Sequence, residues 1–208
     1  IEVTISPKQG VQKAARYTLS PEYNPSGRLE TVGIIDSGIS SNRDVLMQIN
    51  RADLNKSIVD DKPLVDAQPN GGHGTGVASL VAFGEQIVEN KTQLVPDAKV
   101  VSIKVLSSSG GTFGRTTVPD LLKEFQEKDE RLFNMSVNFP SEIKEDNSSV
   151  SEFAYWIDYL LAQKKYQNIL LCISAGNVDN NSLIPPDLRF SSLFGQYHLN
   201  HHFHWGTN

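Results

Sequence analysis

Short apolar, β-branched runs alternate along this chain with longer segments whose apolar positions recur three and four residues apart. The run Thr31-Val32-Gly33-Ile34-Ile35-Asp36 stops at Ser37-Gly38, the pattern of a buried strand ending in a turn. Further strands are predicted at 99–106, 131–137 and 168–174. Between them, residues 73–83 are rich in Ala, Val and Leu and read as a helix. A second helix is predicted at 119–128, with Thr117 as its cap and Asp120 three residues on. Ser149 and Glu152 fit a capping box for a third, running to about Lys165, with Phe153, Ile157, Leu160 and Leu161 at helical spacing. Strands alternating with helices predict an α/β fold: a mostly parallel sheet with helices on both faces. Sites in such sheets form at the carboxyl ends of strands, and Asp36 and Asn177 fall at or just past such ends.

Residues 1–30 are weakly patterned and read as a lead-in segment, and 140–149 reads as a polar surface insertion. The chain has 208 residues, 38% of them hydrophobic, which suits one domain with a real core. Its formal charge of −5, without a Lys/Arg cluster, argues against nucleic acid as a partner, since phosphate binding needs a basic face. No apolar run approaches the ~18 residues that span a bilayer. The start, Ile1-Glu2-Val3-Thr4, has neither the charged opening nor the apolar stretch of a signal peptide. It is not Met, which leaves the natural start open. The single cysteine, Cys172, rules out an intramolecular disulfide. Its place within Ile169-Leu170-Leu171-Cys172-Ile173 predicts a small buried hydrophobe.

Three segments carry candidate chemistry. Ile34-Ile35-Asp36-Ser37-Gly38 holds a carboxylate at a strand tip, where an Asp also serves simply to cap a turn. Gly71-Gly72-His73-Gly74-Thr75-Gly76-Val77-Ala78-Ser79 opens a helix with a histidine between glycines, which permit close approach of other backbone or of substrate, or simply form a turn under a histidine with no chemistry. A phosphate cradle is a poor reading there, because neither GxGxxG nor GxxxxGK[ST] is present. Ile173-Ser174-Ala175-Gly176-Asn177 runs a strand into a small-residue turn ending in an amide. An Asn there forms turns, or donates to a developing oxyanion beside a reacting carbonyl.

Taken together and in this order, Asp-x-Gly, His-Gly-Thr-x-Val-Ala and Ser-Ala-Gly-Asn resemble the subtilisin-like serine protease (subtilase) family over about residues 31–180. The link Val95-Pro96-Asp97-Ala98-Lys99 is similar to that family's as well. The resemblance implies a subtilisin-like fold and an Asp-His-Ser triad. Asp36 would orient His73, His73 would act as general base, and Asn177 would donate to the oxyanion. It further implies an extended peptide or unfolded protein as substrate, paired between strand edges. Gly110 and Gly111 would line one side, Ser136, Val137 and Asn138 the other, and Ala175 and Gly176 part of the primary pocket. Asn138 stands where the family usually has glycine. No cofactor is expected. Structural calcium is possible by resemblance, with no ligands assignable.

The resemblance stops short of the nucleophile. No Gly-Thr-Ser-x-x-x-Pro occurs in the 208 residues, and Gly206-Thr207-Asn208 matches only its first two positions. Ser37, Ser79, Ser136 and Ser174 already have places in the motifs around them. The expected organisation is therefore a lead-in at 1–30, a partial subtilase catalytic domain at 31–189 and a His-rich tail at 190–208. The chain is expected to be a fragment whose parent supplies the serine, inactive as it stands. The alternative is a non-catalytic subtilase-like module that binds peptide. In the tail, His198, His201, His202 and His204 could ligate zinc or nickel, but no Cys or carboxylate lies among them to complete a site. The tail is thus expected to be exposed and dispensable to the fold.

Overall fold

The computed structural model describes residues 17–25, 27–60, 62–67, 72–89, 91–107, 117–137 and 152–174. Strand β2 (Thr31–Asp36) forms the axis of the fold, buried along nearly its whole length. It follows β1 (Thr18–Leu19) and precedes α1 (Asp44–Met47), a 3-10 turn at Ala52–Leu54 and β3 (Lys56–Ser57). Next come α2 (His73–Phe83), α3 (Glu85–Val88), β4 (Gln93–Leu94) and β5 (Lys99–Lys104). The remainder is α4 (Thr117–Glu127), β6 (Leu132–Met135), α5 (Glu152–Leu161), a 3-10 turn at Lys164–Tyr166 and β7 (Leu170–Ile173).

Five strands form one sheet in the order β3-β5-β2-β6-β7, every pair parallel. The expected α/β class is therefore the observed one. The chain first builds on the β5 side of β2 and then crosses to the β6 side. The crevice beyond the carboxyl end of β2 is thus the point where strand order reverses, the favoured place for a site in such sheets.

Alternation along the strands divides the core into two layers. Ile35, Ile103, Phe133 and Met135 face α4 and α5, meeting Leu122 and Phe125 of the first and Ile157 and Leu160 of the second. Ile34 and Val100 face the other way, against Leu46 of α1 and Ala78, Ala82 and Phe83 of α2. Gly33 has a packing reason: a Cβ there would lie 2.6 Å from the Phe133 ring on the adjacent strand. That ring in turn meets Phe125 edge-on, with centroids 5.9 Å apart.

The predicted elements are present, β2 and α2 with the expected boundaries and the others with shifted ones. Strands β5 and β6 stop before the expected 106 and 137 because their shared partner, β2, turns away at Ser37-Gly38, and β7, paired with β6, stops at Ile173. Thr117 lies within α4 rather than capping it, so Pro119 falls in the first turn, where a missing N–H costs no helical bond. Helix α5 ends at Leu161 rather than near Lys165; Gln163 is extended (ψ 132°), and the following 3-10 turn buries Tyr166. Part of the expected lead-in is docked: β1 pairs in parallel with β4, and Tyr17, Leu19 and Tyr23 pack on the α2-side core. Cys172 is exposed, contrary to expectation. It lies on β7, which among the described residues ends the strand order and pairs on one side only, with β6. Among the described residues no helix is long and apolar enough to cross a membrane. The polar stretch 140–149 and the His-rich tail lie outside the described residues.

Truncating Phe133 tests the α4-side core. Phe133→Ala is expected to lower the unfolding free energy by about 3–5 kcal/mol in urea titration, with an unchanged denaturant slope. A loss below about 1 kcal/mol would contradict this assignment.

Candidate active site

The site begins at the junction between the end of β2 and the start of α2. Asp36 is the last residue of β2, and its side chain is 1% exposed. His73 is the first residue of α2, and its side chain is 56% exposed. The His73 Nδ1 lies 2.9 Å from Asp36 Oδ1 and 3.0 Å from Oδ2. A carboxylate can only accept, so Nδ1 carries the proton and Nε2 is left as the ring's basic edge.

Three glycines make this approach possible. Gly74 follows His73, and a Cβ on it would collide with the Gly38 carbonyl oxygen and lie 3.1 Å from Asp36 Cβ. Gly72 precedes His73 with φ 74°, and a Cβ there would lie 2.8 Å from Asp66 Oδ2. Gly38 has φ 101°, and a Cβ there would meet the Val65 carbonyl oxygen at 2.6 Å. The close approach expected of the glycines flanking His73 is therefore an approach to backbone and carboxylates of this same chain.

Distant residues satisfy the first N–H groups of α2, since Gly72 has no side chain to cap them. The Gly74 N–H donates to Ser37 Oγ at 3.1 Å, and the Thr75 N–H to Asp66 Oδ2 at 2.8 Å. The Thr75 hydroxyl also donates to Asp66 Oδ2, at 2.6 Å, and accepts from the Ser40 N–H at 2.9 Å. A carboxylate here also suits the positive end of the helix. Ser37 donates its N–H to Asp36 Oδ1 at 2.7 Å, while its hydroxyl lies 2.8 Å from Asp66 Oδ1 and 3.1 Å from Asp36 Oδ1.

Asp66 arrives on a strap between β3 and α2 that crosses the ends of β2 and β5. The Ala67 N–H donates to the Ser37 carbonyl at 2.8 Å, and the Ser41 N–H to that of Leu64 at 3.1 Å. The buried Ser102 hydroxyl donates to the Pro63 carbonyl at 2.5 Å and accepts from the Ile39 N–H at 3.1 Å. Lys104, paired in register with Asp36, is also buried; its ammonium donates to Asp60 Oδ2 at 2.6 Å. That hydrogen bond holds the Asp60 carboxyl at about 2, below its ordinary 3.8.

Of the other expected site residues, Ser136 and Val137 leave the end of β6 on the far side of β2. The Ser136 hydroxyl accepts from Asn134 Nδ2 at 2.9 Å, and Val137 is buried in the α4-side core. The Val137 side chain is thus part of the core and not available to a ligand. Ser37 Oγ is engaged in the junction, and Ser79 Oγ donates to the Thr75 carbonyl within α2. Gly110, Gly111, Asn138, Ala175, Gly176 and Asn177 lie outside the described residues. Sequence reasoning missed Asp66, Thr75 and the Lys104–Asp60 pair as parts of this site. Asp66 carries no motif signal, because the strap that delivers it has no regular period.

The electrostatic anchor of the strap has a pH signature. Because the folded value of Asp60 is depressed, its contribution is present above about pH 4 and is lost as pH falls through about 2. Asp60→Asn should therefore be less stable than the wild type at about pH 5, with the difference closing toward about pH 2. A gap that stays constant over this range would contradict the anchor. The glycines give a paired test, since nothing lies within 4 Å of a Cβ added to Gly76. Gly74→Ala should cost about 1–3 kcal/mol, whereas Gly76→Ala should be neutral or stabilising by up to about 1 kcal/mol. Equal effects on thermal unfolding would contradict the described packing.

The sequence model of the subtilase family matches residues 27–191. Among solved structures, the chain is similar to one described as "Crystal structure of a cold adapted subtilisin-like serine proteinase", with a TM-score of 0.45 and 16% identity. The alignment covers 79% of this chain and 54% of that one, so the chain spans about half of that structure's length. No curated protein matches the chain. The family match extends over most of the sequence, including both Asp36 and His73, and the chain belongs to the subtilase family, a serine protease family.

Proposed function

We propose that this chain supplies the base half of a serine endopeptidase site, with Asp36 and His73 as two members of an Asp-His-Ser triad. The observation that carries this reading is the 2.9 Å contact between the buried Asp36 carboxylate and an exposed imidazole at the carboxyl end of β2. Asp36 fixes the tautomer and stabilises the imidazolium formed during reaction. Nε2 takes the proton of the attacking serine hydroxyl as its Oγ bonds to the scissile carbonyl carbon. It then returns that proton to the leaving amine as the C–N bond breaks. Water repeats the sequence to release the acyl group. Asn177 donates its amide to the oxyanion of each tetrahedral intermediate.

The substrate is an extended peptide from an unfolded protein, held by backbone pairing with Gly110-Gly111 on one side and Ser136-Val137-Asn138 on the other. Ala175 and Gly176 line the pocket for the residue before the cleaved bond. The attacking hydroxyl comes from polypeptide outside these 208 residues, which contain no Gly-Thr-Ser-x-x-x-Pro. The same observation favours a second reading, a module that binds extended peptide without cleaving it.

The 208-residue chain should leave unfolded casein intact. A chain extended to include a downstream serine motif should cleave it, and Asp36→Ala or His73→Ala should each lower kcat by about 10⁴-fold or more. Cleavage by the 208-residue chain that is abolished by His73→Ala would overturn this division of the triad. Saturable peptide binding, with no cleavage in any extended form, would establish the second reading instead.

A further inference from the structure

We propose that Asp66 is a positioning residue for the Asp36–His73 pair, acting through the single hydroxyl proton of Ser37. The inference rests on the triad reading above and deepens it. Ser37 Oγ lies between two carboxylates, 2.8 Å from Asp66 Oδ1 and 3.1 Å from Asp36 Oδ1. A hydroxyl has one proton and can donate to only one of them. The shorter distance assigns that proton to Asp66. The remaining lone pairs of Ser37 Oγ then accept the Gly74 N–H and face Asp36 Oδ1 without donating to it.

This direction affects the reacting pair. Each hydrogen bond given to a carboxylate stabilises its charge and weakens it as an acceptor for other donors. Asp36 Oδ1 already receives the Ser37 N–H at 2.7 Å. Drawing the Ser37 hydroxyl proton away spares the same oxygen a second local donor and leaves it a stronger acceptor for the His73 Nδ1–H. Asp66 can hold the proton because it is itself anchored, its Oδ2 receiving both the N–H and the hydroxyl of Thr75. Those bonds also tie it to the first turn of α2, so one carboxylate sets both where His73 stands and how strongly Asp36 grips it. Among the described residues, the charged groups on the elements around this junction include Asp36 on β2, Lys104 on β5, and Asp60, Lys62 and Asp66 on the strap. Lys104 is bonded to Asp60.

The test reads the His73 Nδ1–H proton by NMR in the 15N-histidine-labelled 208-residue chain, identified by its loss in His73→Gln. A stronger acceptor moves this proton downfield. Asp36→Asn should move it far upfield or abolish it; no change would overturn the triad reading itself. Asp66→Asn frees the Ser37 proton to turn to Asp36 and should move the resonance upfield, by less than Asp36→Asn does. Ser37→Ala alone should leave it close to the wild-type position, because the hydroxyl does not donate to Asp36. Adding Asp66→Asn to Ser37→Ala should then produce little further shift.

A response to Asp36→Asn with none to Asp66→Asn would overturn the proposal while leaving the pair intact. An undiminished Asp66→Asn shift in the Ser37→Ala background would also overturn it, by showing that the carboxylate acts directly through its charge. If Asp66→Asn fails to fold, Ser37→Ala still decides. A downfield shift in that variant would mean that the hydroxyl had been donating to Asp36, and the proposed direction would be wrong.

Discussion

The end of one strand and the start of one helix must come close enough for a buried carboxylate to grip an exposed imidazole. The arrangement of Asp36 and His73 depends on that approach, and it is a steric condition before it is an electrostatic one. A side chain at Gly74 would meet the Gly38 carbonyl, and one at Gly72 would meet the Asp66 carboxylate. Once the backbones are this close, the orphan N–H groups of α2 have no local cap and need acceptors from elsewhere. Ser37 and Asp66 supply them. Precise placement of His73 therefore comes from tertiary hydrogen bonds, not from any feature of the helix itself.

The sheet makes the junction stiff. Strand β2 is flanked by β5 and β6 and has a packed layer on each face, so Asp36 projects from a strand constrained on all four sides. The strap between β3 and α2 adds a second constraint, held by Ser102 and Lys104 from β5. Lys104 and Asp36 are cross-strand partners with different tasks: the lysine anchors the strap, and the aspartate orients the histidine. This puts the strap's anchor and the histidine's partner side by side at the carboxyl ends of adjacent strands.

Much of the fold was legible because its signal is local. β2 and α2 appear with the expected boundaries, since a β-branched run before Ser-Gly and an Ala/Val/Leu-rich run after glycines are each decided within a few residues. The Asp36–His73 pair was legible only through family resemblance, as nothing local says that residues 37 apart in sequence will meet. Boundaries set by partners were not legible: β5 and β6 end where β2 turns, and α5 gives way to a 3-10 turn that buries Tyr166. Cys172 looked buried by composition, yet burial depends on a strand's position in the sheet, and β7 is last in the order. Asp66 was missed because its importance lies in tertiary bonds, to Ser37 and Thr75 among others, delivered by an aperiodic strap.

With its carboxylate on Nδ1, Asp36 holds His73 in one tautomer, with the proton on Nδ1 and the basic lone pair on Nε2. The 15N chemical shifts of the two ring nitrogens of His73, measured at alkaline pH in the 208-residue chain, test it directly. A protonated Nδ1 and an unprotonated Nε2 are expected, with this preference lost in Asp36→Ala. A ring protonated on Nε2, or one whose tautomer is indifferent to Asp36, would contradict it.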